Sequence, residues 1–232
     1  MEGGPRTMNE AVLDRVREGH HELLDLVSEL EPEDFHAGSR LPGWSRAHVV
    51  AHLANNAISL ANMTSAAGRG ELVDPYPDGD RDEAIERDAH QDAIGLVQQL
   101  ATSHAQLEIV WDSVAEQDWQ RPVRFRDGTV ADLVLCRWRE LEIHMLDLDL
   151  DRTEQSWSSE FCAHAIDFLL PRLAGSEVVL APRELDRTWE VGSSPTHKIE
   201  GSCHSIACWL AGRTPQQEPS GDGPLPELGP WP

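Results

Sequence analysis

Apolar residues recur at helical spacing in four stretches of the first 150 residues, and this periodicity constrains the fold of the 232-residue chain more than any other feature. Val12, Leu13, Val16, Leu23, Leu24, Val27 and Leu30 mark a first helix over residues 8–30. Leu41-Pro42-Gly43-Trp44-Ser45 reads as a turn, and Ser45 is a natural N-cap for a second helix over residues 46–67. Gly68-Arg69-Gly70 stops it, and residues 71–82, rich in Pro, Asp and Gly, read as a loop. One long helix is expected over residues 82–114, through Ala93, Ile94, Val97, Leu100, Leu107, Val110 and Trp111. Residues 121–128 form a short extended piece and a turn, and Thr129 opens a further helix to about residue 150. Four amphipathic helices predict a four-helix bundle, in which facing helices build metal sites from inward side chains.

The texture changes after Asp151-Arg152-Thr153. A helix is predicted near residues 158–173, β-like runs at 177–181, 187–191 and 197–201, and a last helix over 203–210 closing at Gly212. Helices and short strands together predict a small α+β domain. The expected division is therefore residues 1–153 as the bundle and 154–232 as the second domain, with a Pro- and Gly-rich tail from 215 read as irregular.

Arg139-Glu140-Leu141-Glu142-Ile143-His144 carries the clearest chemistry. Four residues make slightly more than one helical turn, so Glu140 and His144 share a face. The spacing is common, but Leu135, Trp138, Leu141, Met145 and Leu148 make much of this helix apolar. A charge held there requires a partner, and a divalent metal would be one. The second helix offers His48 and His52, also four apart on one face, and spacing does not choose between them. His52 lies among Val, Ala and Leu, where a core histidine is the commoner reading. Joined to Glu140 and His144, it would complete three protein ligands with an open position, the pattern of a catalytic zinc. Arg213, in Trp209-Leu210-Ala211-Gly212-Arg213, reads either as a basic residue near a helix C-terminus or as a guanidinium that holds a carboxylate. His20, His21, His90, His104, His164, His197 and His204 read as surface or packing residues.

Charge narrows the partners. With 19 Lys plus Arg against 41 Asp plus Glu, the net charge is −22, which disfavours nucleic acid and anionic membranes. An anionic substrate would need a locally placed Arg. No apolar run reaches the roughly 20 residues of a membrane span, and the N-terminus lacks the basic start and apolar stretch of a secretory signal. Cys136, Cys162, Cys203 and Cys208 have no CxxC spacing and read as reduced cytosolic thiols, most of them packing residues, consistent with a cytoplasmic chain. GxSxG, P-loop, GxGxxG and HExxH motifs do not occur.

Residues 41–57, Leu-Pro-Gly-Trp-Ser-Arg-Ala-His-Val-Val-Ala-His-Leu-Ala-Asn-Asn-Ala, resemble the second-helix motif of the mycothiol-dependent maleylpyruvate isomerases. Residues 137–148, Arg-Trp-Arg-Glu-Leu-Glu-Ile-His-Met-Leu-Asp-Leu, resemble the fourth-helix motif of that family. Trp209-Leu-Ala-Gly-Arg213 and the tail with Trp231 are similar to its C-terminus, so the likeness spans almost the whole chain. The resemblance implies a DinB-like four-helix bundle followed by a small C-terminal α/β domain, an α+β chain overall. It implies zinc, or another divalent metal, on His52, Glu140 and His144, mycothiol as a low-molecular-weight thiol cofactor, and a catalytic need for Arg213. The implied reaction turns maleylpyruvate into fumarylpyruvate in gentisate breakdown. A thiolate adds to the electron-poor double bond, the resulting single bond rotates, and the thiolate departs. A free thiol has a pKa of about 8.5, and zinc would deprotonate it. Arg213 would hold a substrate carboxylate and stabilise enolate charge. A mycothiol S-transferase acting on another electrophile, or a non-catalytic DinB-like binding protein, are the alternatives on the same scaffold. A monomer is expected.

Overall fold

The computed structural model describes residues 8–76 and 79–232. The N-terminal segment read for a secretory signal, and Pro77 and Asp78 of the expected loop, lie outside the described residues. The chain divides into two compact units, Met1–Leu150 and Asp151–Pro232. It has the mixed α+β composition expected, with seven helices and one four-stranded sheet among the described residues.

The first unit is built on α1 (Met8–Ser28), α2 (Arg46–Gly68), α4 (Ala93–Asp112) and α5 (Val130–Asp147), with the short α3 (Arg81–Ala89) between α2 and α4. α2 packs against α3, α4 and α5, and α1 against α4 and α5. Its core includes Val16, Leu23, Val27, Leu53, Leu60, Leu100, Leu107, Leu133 and Leu141, all essentially out of water. α2 can pack on several sides because Ala47, Ala51, Ala54, Ala57, Ala61, Ala66 and Ala67 are small and buried.

Local chemistry sets where these helices start. Leu41-Pro42-Gly43-Trp44 is a turn closed by Trp44 N–H to the Leu41 carbonyl at 3.1 Å, with Gly43 at φ +80°. Pro then Gly at the two central positions suits a type II turn. Ser45 N–H donates to His48 Nδ1 at 3.2 Å, so His48 closes the cap of α2. Thr129 N–H donates to Asp132 Oδ2 at 2.8 Å at the start of α5. The single long helix expected over 82–114 is instead two helices broken at His90-Gln91-Asp92. Asp92 Oδ1 accepts from Gly95 N–H at 2.7 Å, and this cap begins α4 afresh.

The second unit carries α6 (Ser159–Leu169), β1 (Val178–Pro182), β2 (Trp189–Val191), β3 (His197–Gly201), α7 (Cys203–Leu210) and β4 (Ser220–Gly221). The sheet order is β2-β1-β3-β4, with β1 and β3 parallel and both edge pairs antiparallel. Val178, Leu180 and Ile199 bury one face, while Phe161, Ile166, Ile206 and Leu210 bury the apolar sides of α6 and α7. The tail expected to be irregular contributes the two-residue edge strand β4, which pairs Ser220 with Glu200. No helix among the described residues is long and apolar enough to cross a membrane.

Candidate metal centre

α5 presents Arg137, Glu140 and His144 one turn apart, and α2 presents His52 towards the lower two of them. His52 Nε2 lies 2.8 Å from Glu140 Oε2, and His144 Nε2 lies 3.3 Å from the same oxygen. The two imidazoles meet edge to face with centroids 4.6 Å apart. One donor atom from each of the three residues falls within 4.8 Å of the others. Ligands held about 2.0–2.2 Å from one zinc ion must converge in this way, so the donor set fits a divalent cation.

Each imidazole is oriented from behind by a different group. His144 Nδ1 lies 2.8 Å from Oδ2 of Asp147, a fully buried carboxylate. Carboxylates only accept, so His144 donates from Nδ1 to Asp147 and from Nε2 to Glu140; a cation at Nε2 would displace that second proton and leave Nδ1–H on Asp147. Behind His52, Nη2 of Arg81 reaches Nδ1 at 3.2 Å. A guanidinium only donates, so this nitrogen accepts and Nε2–H donates to Glu140. A cation at Nε2 would shift that proton to Nδ1 and require Arg81 to turn aside. Trp44 walls the site, its ring 5.7 Å from that of His52 and 5.8 Å from the Arg81 guanidinium.

The electrostatics follow from these partners. Burial pushes His52 down to about 4, against the opposing hydrogen bond to Glu140, so His52 is a neutral donor at pH 7. Burial works the same way on His144, but its hydrogen bonds to Asp147 and Glu140 win and raise its pKa. Burial would raise Glu140, yet hydrogen bonds from His144 and His52 hold it well below the usual carboxylate range. The centre therefore offers one ionised carboxylate and one neutral imidazole, and a cation would have to displace a proton from His144 to gain the second imidazole.

Among the sequence candidates, His52, Glu140 and His144 come together. His48 does not join them; its Nδ1 serves Ser45 and its Nε2 lies 3.1 Å from Glu86. Arg213 belongs to the second unit. There Gly212, at φ +73°, ends α7, with Arg213 N–H donating to the Cys208 carbonyl at 3.0 Å and Gly212 N–H to that of Trp209 at 2.8 Å. This is a Schellman closure, and it explains the Gly-Arg pair. The Arg213 guanidinium donates to the Ala211 carbonyl at 2.6 Å and lies 5.7 Å from the Trp231 ring. Sequence reasoning missed Asp147, Arg81 and Trp44 as neighbours of the centre. Asp147 was within reach of it, because it stands three residues after His144 on the same helix.

Known proteins place this architecture. No curated protein matches the chain. The crystal structure of the mycothiol-dependent maleylpyruvate isomerase is similar with a TM-score of 0.87 and 24% identity, covering 97% of this chain and 98% of that one. The crystal structure of the mycothiol-dependent maleylpyruvate isomerase H52A mutant gives 0.86 and 24% identity, with the same coverage. At that identity the likeness establishes a shared α+β fold. The family model described as the mycothiol maleylpyruvate isomerase N-terminal domain matches residues 16–149, a span that contains His52, Glu140 and His144. The chain belongs to the mycothiol maleylpyruvate isomerase N-terminal domain family.

Proposed function

We propose that this chain is a mycothiol-dependent cis–trans isomerase acting on maleylpyruvate to give fumarylpyruvate, with His52, Glu140 and His144 holding a divalent metal, zinc first. The observation that carries the reading is the convergence of these three donors on one point in a chain of this family. When bound, metal and thiol together would supply an ionised sulfur for reversible addition to an electron-poor double bond.

The protein's own residues have definite tasks in this proposal. His52 stays neutral because it is buried, so no proton competes for it near pH 7. Asp147 holds the His144 proton on Nδ1 and aims the other nitrogen inward. Glu140 brings one negative charge, which lowers the net charge of the loaded centre to +1. Arg81, with donors beside His52, offers positive charge to an approaching carboxylate in a protein of net charge −22. Arg213 is proposed as catalytic from its match to the family's closing Gly-Arg motif, as the residue that binds a substrate carboxylate and steadies enolate charge.

The test is to incubate zinc-loaded protein with mycothiol and maleylpyruvate, follow the ultraviolet absorbance and identify the product. Fumarylpyruvate formed only when thiol and metal are both present supports the proposal. Consumption of thiol with another electrophile, without isomerisation, would replace it with an S-transferase. Purified protein that takes up no metal and is inert with every electrophile would leave a binding protein.

A further inference from the structure

We propose that Cys162, Cys203 and His204 form a second metal site, in the C-terminal unit, for a thiophilic d10 cation such as zinc. Cys162 lies on the first turn of α6, and Cys203 and His204 open α7. The two Sγ atoms and one ring nitrogen of His204 lie within 4.8 Å of one another. Cys203 Sγ and His204 Nδ1 are 3.6 Å apart. A sulfur at about 2.3 Å and a nitrogen at about 2.0–2.1 Å from one tetrahedral zinc stand about 3.6 Å from each other, so this pair already has the spacing of co-ligands.

The orientation of His204 is the second observation. Its Nε2 lies 2.9 Å from the backbone carbonyl of Trp157. A carbonyl only accepts, so the proton sits on Nε2 and the Nδ1 lone pair faces the sulfur. Histidines that ligate metals are held in this manner by an outer carbonyl or carboxylate. The backbone is pinned as well: Cys203 N–H donates to Glu184 Oε2 at 2.7 Å, and the Ser202 hydroxyl caps α7 by accepting from Ser205 N–H at 3.0 Å.

Both thiols are fully buried, and none of the four cysteines is in a disulfide. His204 is only half-buried and gives the site an edge towards solvent. On binding a divalent cation, each thiol would lose one proton. Two thiolate charges then balance the cation, so a buried site becomes electrically neutral. The donor set is soft, in contrast to the imidazole and carboxylate set of the first unit, and the two would sort cations by that difference. The proposal is independent of the enzymatic reading above.

Cadmium is the probe, because thiolate ligation gives an ultraviolet charge-transfer band that imidazole and carboxylate do not. Full-length protein, reduced and stripped of metal, is titrated with cadmium, both as folded protein and after refolding in its presence. The expected result is a saturable band with release of up to two protons per cadmium. H52A keeps the band in full, C162S and C203S each lose about half or more of it, and H204A weakens the affinity at least tenfold. If either cysteine variant fails to fold, X-ray absorption at the cadmium edge of the wild type decides, with two sulfur neighbours and one imidazole expected. The proposal is overturned by the absence of a band under both regimes, by a band that C162S and C203S leave intact, or by an edge spectrum without sulfur.

Discussion

Two histidine clusters lie in the same helical unit, both against α5, and they use the same side-chain types to different ends. In one, His20 Nδ1 is 2.6 Å from Glu108 Oε1, and Arg137 Nε donates to His20 Nε2 at 3.1 Å. Arg137 is fully buried, and its Nη1 also donates to the Leu53 carbonyl and Asn56 Oδ1, each at 2.8 Å. His104 stacks on His20 at 3.9 Å. Here the chain supplies its own permanent cation, and both nitrogens of His20 are committed within the protein. In the other cluster, two Nε2 atoms converge on one carboxylate oxygen. Such a donor set suits a cation from outside. Burial alone therefore does not separate a packing histidine from a candidate ligand; what separates them is whether a guanidinium already occupies the inward nitrogen.

The comparison can be broken most sharply at the proposed ligands. H52A and E140A are each expected to lower the bound metal by one equivalent relative to wild type and to reduce thiol-dependent isomerisation to background, read by metal analysis and by the absorbance assay. A metal content undiminished from wild type in both variants would show that the two clusters are alike after all.

At the other cluster the expected loss is in stability. R137A leaves the His20, Leu53 and Asn56 acceptors without their donor and should cost about 3–5 kcal/mol in urea unfolding. Metal uptake by the folded fraction should persist.

Acid provides a third contrast. His20 is pushed down to about 2, by burial first and then by the Arg137 charge, from an ordinary value of 6.5. His104 is lowered in the same way. A group depressed in the folded state contributes stability above its unfolded pKa and loses it as pH falls towards the folded one. Between pH 6.5 and 5 the unfolded chain gains protons that folded His20 refuses, at a cost of about 2 kcal/mol for that residue. Burial raises the Glu108 carboxyl, which acts in the opposite sense and partly offsets the loss. Unfolding midpoints at pH 7 and pH 5 measure the net slope, and H104L should flatten it.

Smaller effects refine the metal side. D147N should weaken metal binding about 10–100-fold in calorimetric titration, since it disturbs the orientation of His144. R81Q should tighten binding a few-fold, because it removes a nearby positive charge and replaces a donor-only group with an amide whose oxygen can accept from Nδ1–H in the ligating tautomer of His52. Weaker binding in R81Q would mean that Arg81 helps to build the centre.

Much of this was legible along the chain because it depends on near neighbours. Ser45 and Thr129 announced α2 and α5 through caps that close within three residues. The break before α4 was harder to see, because the apolar rhythm runs on across residues 90–92 while Asp92 and Gly95 restart the helix. Glu140 and His144 were legible as a pair one turn apart. The choice of His52 over His48 was not, since both share a face of α2; it followed from His48 being engaged by Ser45 and Glu86. Cys162 lies some forty residues before Cys203 and His204, and no spacing rule joins them.

Interactions within about one turn of helix set the helical periods, their caps and the placing of Glu140 beside His144, and the order of residues along the chain carries these without any tertiary contact. Only the tertiary structure decided which nitrogen faces which acceptor, that Arg137 fills one histidine cluster and not the other, and that two distant thiols share a corner with His204. Those outcomes turn on angstrom-scale approaches between separate elements, and the packing of α2 on α5 and of α6 beside α7 sets them.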